Sequence, residues 1–191
     1  VDLFVVETTQ DILELKAAVV GLRRAMRTEG REVPIQAQVT LDTSGRMLLG
    51  TDVASALATL EALDVDLVGL NCSTGPQHMR EPVRYLCEHT RLPISVIPNA
   101  GLPINQGGRA VYPMQPEPMA EQLEAFVTEL GVNVVGGCCG TTPEHIRLLV
   151  ERVGGRPAPA RGPGREAVIS SGIRAVSLHQ DPPPLLVGER V

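Results

Sequence analysis

The chain has 191 residues, 22 acidic against 17 basic, for a net charge of -5. That length supports one good core, and the negative balance argues against nucleic acid as a main partner. No stretch approaches the roughly 18 uninterrupted apolar residues of a membrane span, and four cysteines, three of them set among glycines, do not resemble a secreted disulfide framework, so a reducing cytoplasm is expected. In chain order, residues 3–6 read as an apolar strand, and an amphipathic helix follows from about Asp11 to Arg27. Residues 35–40 alternate as a second strand, and Asp52 has the character of an N-cap for a helix to Leu63. Residues 65–70 form the third expected strand, with a helix from about Met79 to Thr90 behind it. Residues 94–97 are the fourth, followed by a long loop rich in Pro and Gly and a helix over 116–130. Residues 132–135 are the fifth, and Pro143 suits the first turn of a helix to Val153. Five strand-then-helix units with mostly apolar strands predict an α/β fold around a parallel sheet.

After Val153 the periodicity stops. Residues 154–164 read as a linker, 166–184 are mixed in character, and 185–191 read as a new strand. Val1 is not an initiator methionine and starts almost within a strand, so the sequence reads as a piece of a longer polypeptide.

The cysteines carry the chemistry. Cys72 follows the third strand, and the pair Cys138-Cys139 follows the fifth, framed by Gly136, Gly137 and Gly140. A zinc ribbon sets its cysteines a few residues apart; here only tertiary structure unites them. Adjacent residues of a strand face opposite ways, so both of the pair can bind one metal only where the strand has broken, which glycine permits. Three thiolates leave one zinc position open, as catalysis needs. The competing reading is three buried structural thiols. Cys87, inside a helix, reads as core. Polar residues close all five strands (Glu7, Thr40, Asn71-Cys72, Asn99, Cys138-Cys139), and in parallel barrels that carboxyl-terminal edge is where catalytic groups collect.

Three segments, Gly69-Leu70-Asn71-Cys72, Pro98-Asn99-Ala100-Gly101-Leu102-Pro103 and Gly136-Gly137-Cys138-Cys139-Gly140-Thr141-Thr142-Pro143-Glu144-His145-Ile146, together resemble the zinc-dependent homocysteine S-methyltransferase family, most of all its cobalamin-dependent, multidomain branch. The resemblance covers residues 1–153. It implies a (β/α)8 TIM-type barrel of which only the last five βα units are present. The first three units are missing, and with them the family's glycine-rich loop for the amino acid's carboxylate. It further implies that 154–184 link this barrel to a folate-binding barrel opening at 185–191. Zinc is then held by Cys72, Cys138 and Cys139, and the substrate is L-homocysteine. Methyl transfer to its thiol gives methionine, with methylcobalamin on a cobalamin-binding domain of the same polypeptide as donor.

Glu7 resembles the family glutamate that receives the substrate's ammonium group, although a strand-end glutamate is also an ordinary surface residue. Asn99 resembles a residue that approaches the metal when substrate is absent; an Asx turn is the alternative. His145 is a zinc-ligand type that three thiolates do not need, and His78, His89 and His179 read as surface. Two rival functions stand beside this one: a cobalamin-independent methyltransferase using betaine or S-methylmethionine, and a structural zinc domain closed by a fourth protein ligand.

Overall fold

The computed structural model describes residues 1–157, 160, 167–185 and 188. Five parallel strands form one sheet in the order β1 (Phe4–Thr9), β2 (Ile35–Val39), β3 (Leu67–Asn71), β4 (Ile94–Ile97) and β7 (Val134–Val135). Each is followed by a helix: α1 (Ile12–Glu29), α2 (Val53–Ala62), α3 (Pro76–His89), α4 (Pro116–Ala125) and α5 (Pro143–Val153). Spatial order follows chain order without the reversal that marks a doubly wound sheet, and successive helices pack each against the next.

Local chemistry explains the boundaries. Asp52 caps α2, its carboxylate accepting from Ser55 N at 2.9 Å. Pro143 opens α5, where its missing N–H costs nothing. In β2, Ile35, Ala37 and Val39 join the helix-side core, whereas Gln36 and Gln38 reach the Ser95 hydroxyl at 3.2 and 2.7 Å. All five β2 residues are buried. Cys87 belongs to the core, as expected.

Three features depart from the sequence reading. The Pro/Gly loop after β4 contains a hairpin, β5 (Ile104–Gln106) with β6 (Arg109–Val111), turned by Gly107-Gly108 with both φ angles positive. The expected single helix over 116–130 becomes α4 and then a π-helical turn, Phe126–Leu130, closed by Gly131 at φ 82°. Within the mixed region, β8 (Val168–Ser170) pairs with β9 (Ala175–Ser177) and docks on α2. The strand expected over 185–191 lies outside the described residues, apart from Leu185 and Gly188. Among the described residues, no helix is long and apolar enough to cross a membrane.

Candidate metal centre

The ends of three adjacent strands bring the cysteines together. Cys72 N donates to Ile97 O at 3.0 Å and Cys138 N to Pro98 O at 2.8 Å, so both prolong the parallel ladder past the ends of their strands. The chain then breaks. Cys72 and Ser73 both adopt left-handed backbone, φ 60° and 62°, a conformation that costs a non-glycine residue about 1–2 kcal/mol and is typical of functional sites. On the β7 side the break comes after Cys138, where Cys139 N turns to Asn99 Oδ1 at 3.1 Å. Gly140 follows at φ 79°. Of the glycine frame, then, Gly140 supplies the backbone freedom. Gly137 supplies space, since a Cβ there would stand 2.4 Å from the Thr141 side chain.

The three sulfurs lie within 4.8 Å of one another, with Cys72–Cys139 and Cys138–Cys139 both at 3.9 Å. A disulfide needs about 2.05 Å, so these are separate thiols. Tetrahedral zinc with Zn–S bonds of about 2.3 Å sets its sulfurs about 3.8 Å apart, and the two separations from Cys139 match. Burial, then the neighbouring Cys72 charge, push the Cys138 thiol up to about 12, so three thiolates could stand together here only around a cation. Among the described residues no other His, Cys, Asp or Glu joins the group. Cys72 and Cys138 are half-buried and Cys139 is exposed, so the cluster opens to solvent.

His145 stands outside it. Its Nδ1 accepts from Thr142 N at 3.1 Å in a capping box, and Nε2 lies 3.1 Å from Met114 O. Both ring nitrogens are thus occupied. Asn99 is buried, and its side chain holds the Cys139 backbone in place. Glu7 is exposed on β1, two strands from β3. The next residue ties that strand to the site: Thr8 N donates to Asn71 Oδ1 and Asn71 Nδ2 donates to Thr8 Oγ1, both at 2.8 Å. Asn71 directly precedes Cys72, and its own carbonyl accepts from Thr40 Oγ1 at 3.0 Å. The sequence reading placed these threonines at strand ends but not their bonds to Asn71. Of the histidines read as surface, His179 is exposed, His89 is half-buried and stacks on Tyr85 at 3.9 Å, and His78 is half-buried with an unpartnered Nδ1. Tyr112, also missed, packs over Gly140, the residue after Cys139.

Residues 1–153 match the homocysteine S-methyltransferase family. The chain belongs to that family. It is 49% identical over 189 residues to the methionine synthase of Mycobacterium tuberculosis and 48% identical over 194 residues to that of Mycobacterium leprae. Each alignment takes in 99% of this chain and 16% of the relative, so the chain spans about a sixth of the length of these curated relatives. Among solved structures, the Escherichia coli homocysteine methyltransferase MmuM superposes in its apo form with a TM-score of 0.59 and in its metallated form with 0.60. Both are 25% identical and cover 79% of this chain, which in turn spans 49% and 45% of those chains.

Proposed function

We propose that this chain is the zinc-binding part of a homocysteine S-methyltransferase that methylates the thiol of L-homocysteine to give methionine. The observation that carries the reading is the spacing of the Cys72, Cys138 and Cys139 sulfurs, which fits three corners of a zinc tetrahedron and leaves the fourth open to solvent. A zinc ion there supplies Lewis acidity: a thiol with a free pKa of about 8.5 loses its proton outright on coordination. The protein's own residues do the rest. Cys72, Cys138 and Cys139 as thiolates would more than balance a divalent ion, so a fourth sulfur held there would stay electron-rich. Asn99 and the Thr8–Asn71 pair hold the two cysteine-bearing turns. Glu7, exposed on the strand those bonds anchor, offers a carboxylate for the substrate's ammonium group.

In this reading the sheet is the last five units of a (β/α)8 barrel over residues 1–153, with 154–184 leading to a folate-binding barrel that opens at 185–191. Methylcobalamin on a further domain is the donor. The alignments to the two mycobacterial methionine synthases support this branch over betaine- or S-methylmethionine-dependent enzymes, because they continue past residue 153 to span 99% of the chain. The engagement of both His145 nitrogens counts against a closed structural site. The free thiols suit a cytoplasmic setting.

The test is X-ray absorption at the zinc edge with and without L-homocysteine. Three sulfur ligands rising to four with substrate is the expected result. Four protein ligands that do not change on adding substrate would favour the structural role, and zinc without sulfur ligands would sink both.

A further inference from the structure

His145 is the buried histidine for which the proposed chemistry has no use. It is 6% exposed and occupies the third position of α5. Thr142 N donates to its Nδ1 at 3.1 Å, so that nitrogen bears no proton and the ring is the neutral tautomer protonated at Nε2. Nε2–H then donates to Met114 O, 3.1 Å away. Met114 lies where the chain returns from the β5–β6 hairpin to the sheet edge. Its N–H donates to Ala100 O at 3.0 Å, and Ala100 N donates to Cys139 O at 2.9 Å. These bonds close a circuit from Cys139 through Ala100, Met114, His145 and Thr142, then back along the chain to Cys139. The loop segments within it are in tight contact: a Cβ on Gly101 would stand 3.2 Å from Met114 Cβ. Between Cys139 and Met114 each link joins main chain to main chain and does not depend on which side chains are present. From Met114 to α5 the link is an imidazole.

We propose that His145 is a positioning residue for the metal centre, its imidazole fastening the Met114 loop to the first turn of α5 and so holding the Cys138-Cys139 turn. The inference rests on the metal-centre reading above. An ordinary capping box has Glu or Gln at this helix position, which is enough to start a helix. A group that accepts from Thr142 and also donates to Met114 does more. It couples the helix that follows Cys139 to the loop whose Ala100 holds the Cys139 carbonyl. Cys139 is then fixed on three sides: its N–H by Asn99, its carbonyl by Ala100, and the chain beyond it by Thr142 and His145. Because its sulfur is the one 3.9 Å from both of the others, a shift of this turn opens the cluster.

Two replacements isosteric with each other separate the roles. H145Q keeps an acceptor for Thr142 N and a donor for Met114 O, whereas H145E keeps the acceptor alone. Chelator competition on the purified protein should therefore give H145Q close to wild-type zinc affinity. H145E should bind about 10-fold more weakly, the lower end for loss of groups that orient metal ligands. The metal-free thermal midpoint, measured alongside, identifies a purely structural role, which would lower it in H145E without changing zinc affinity. H145E with wild-type affinity overturns the proposal, and so does H145Q weakened as much as H145E. The wild type offers a check that no misfolded variant can spoil: heteronuclear NMR of the metal-free protein should find His145 protonated at Nε2 only. A proton at Nδ1 instead overturns the fastening. Each of these failures leaves the metal centre standing. A wild type that takes up no zinc overturns the metal centre and this inference with it.

Discussion

Each of the two cysteine turns depends on single residues that tolerate no replacement of the ordinary kind, and Gly140 is the sharpest case. Alanine there meets a handedness penalty of about 1–2 kcal/mol at φ 79°, and its Cβ would overlap Tyr112 Cβ, an atom too near the backbone to swing away. Gly136, four residues earlier, would meet only Ile97 at 3.8 Å, an ordinary contact, and its φ is unremarkable. Gly140→Ala should therefore lower the thermal midpoint and abolish stoichiometric zinc, while Gly136→Ala should retain both; metal analysis and calorimetry on the pair decide it. Equal tolerance at the two positions would mean that the tight turn is not what brings Cys138 and Cys139 together. The need for glycine here was readable in the sequence, but not its division of labour, since only coordinates separate a glycine needed for φ from one needed for room. Similarly, Asn71 was visible as a polar residue beside a ligand and Asn99 as one at a strand end, whereas their partners, Thr8 N and Cys139 N, are 63 and 40 residues away.

Elements with strong local signals were legible: an apolar strand, a capped helix, a proline at a first turn. Those built from three-residue strands were not. Gly107-Gly108 is the two-residue hairpin turn that two adjacent glycines favour, but residues 104–106 and 109–111 lack the apolar alternation that would have announced strands on either side. The β8–β9 hairpin is held instead by α2. The Ser55 and Thr51 hydroxyls donate to Ser171 O and Gly172 O, and Asp52 N donates to Ile173 O at 3.1 Å. The hairpin thus sits on the N-terminal turn of that helix, and most of its large apolar side chains (Ile169, Ile173, Val176) remain exposed. If the two hydroxyls are its main fastening, Thr51→Val with Ser55→Ala should remove about 2 kcal/mol of local stability. Amide exchange in residues 169–177 should then quicken about 30-fold while β2 and β3 stay protected. Unchanged exchange would shift the fastening to Val168, which lines a small recess with Leu57 and Tyr85.

For the molecule as a whole, the distribution of the site across the sheet separates two capacities. The three proposed zinc ligands follow β3 and β7, with Asn99 after β4 between them, and β1 contributes only the Thr8 brace on Asn71. Glu7 belongs to β1, which among the described residues has a sheet neighbour on one side only. An unpaired strand edge is a template for another chain, and this one is flanked by apolar residues: Val1, Leu3 and Val5 are 73%, 40% and 47% exposed. Residues 1–191 expressed alone should therefore bind zinc yet self-associate along β1, with the molecular mass from light scattering rising with concentration. Val5→Lys places a charge on that edge without touching the cysteines, so it should restore a monomer and leave zinc stoichiometry intact. A wild-type chain that stays monomeric at every concentration would show that the β1 edge is not a pairing surface. Association that persists in Val5→Lys would move it elsewhere, β7 being the other edge of the five-stranded sheet. Loss of zinc on breaking the assembly would be the more consequential result, because the metal centre would then depend on a second copy standing beside β1 rather than on the two strands that carry its ligands alone.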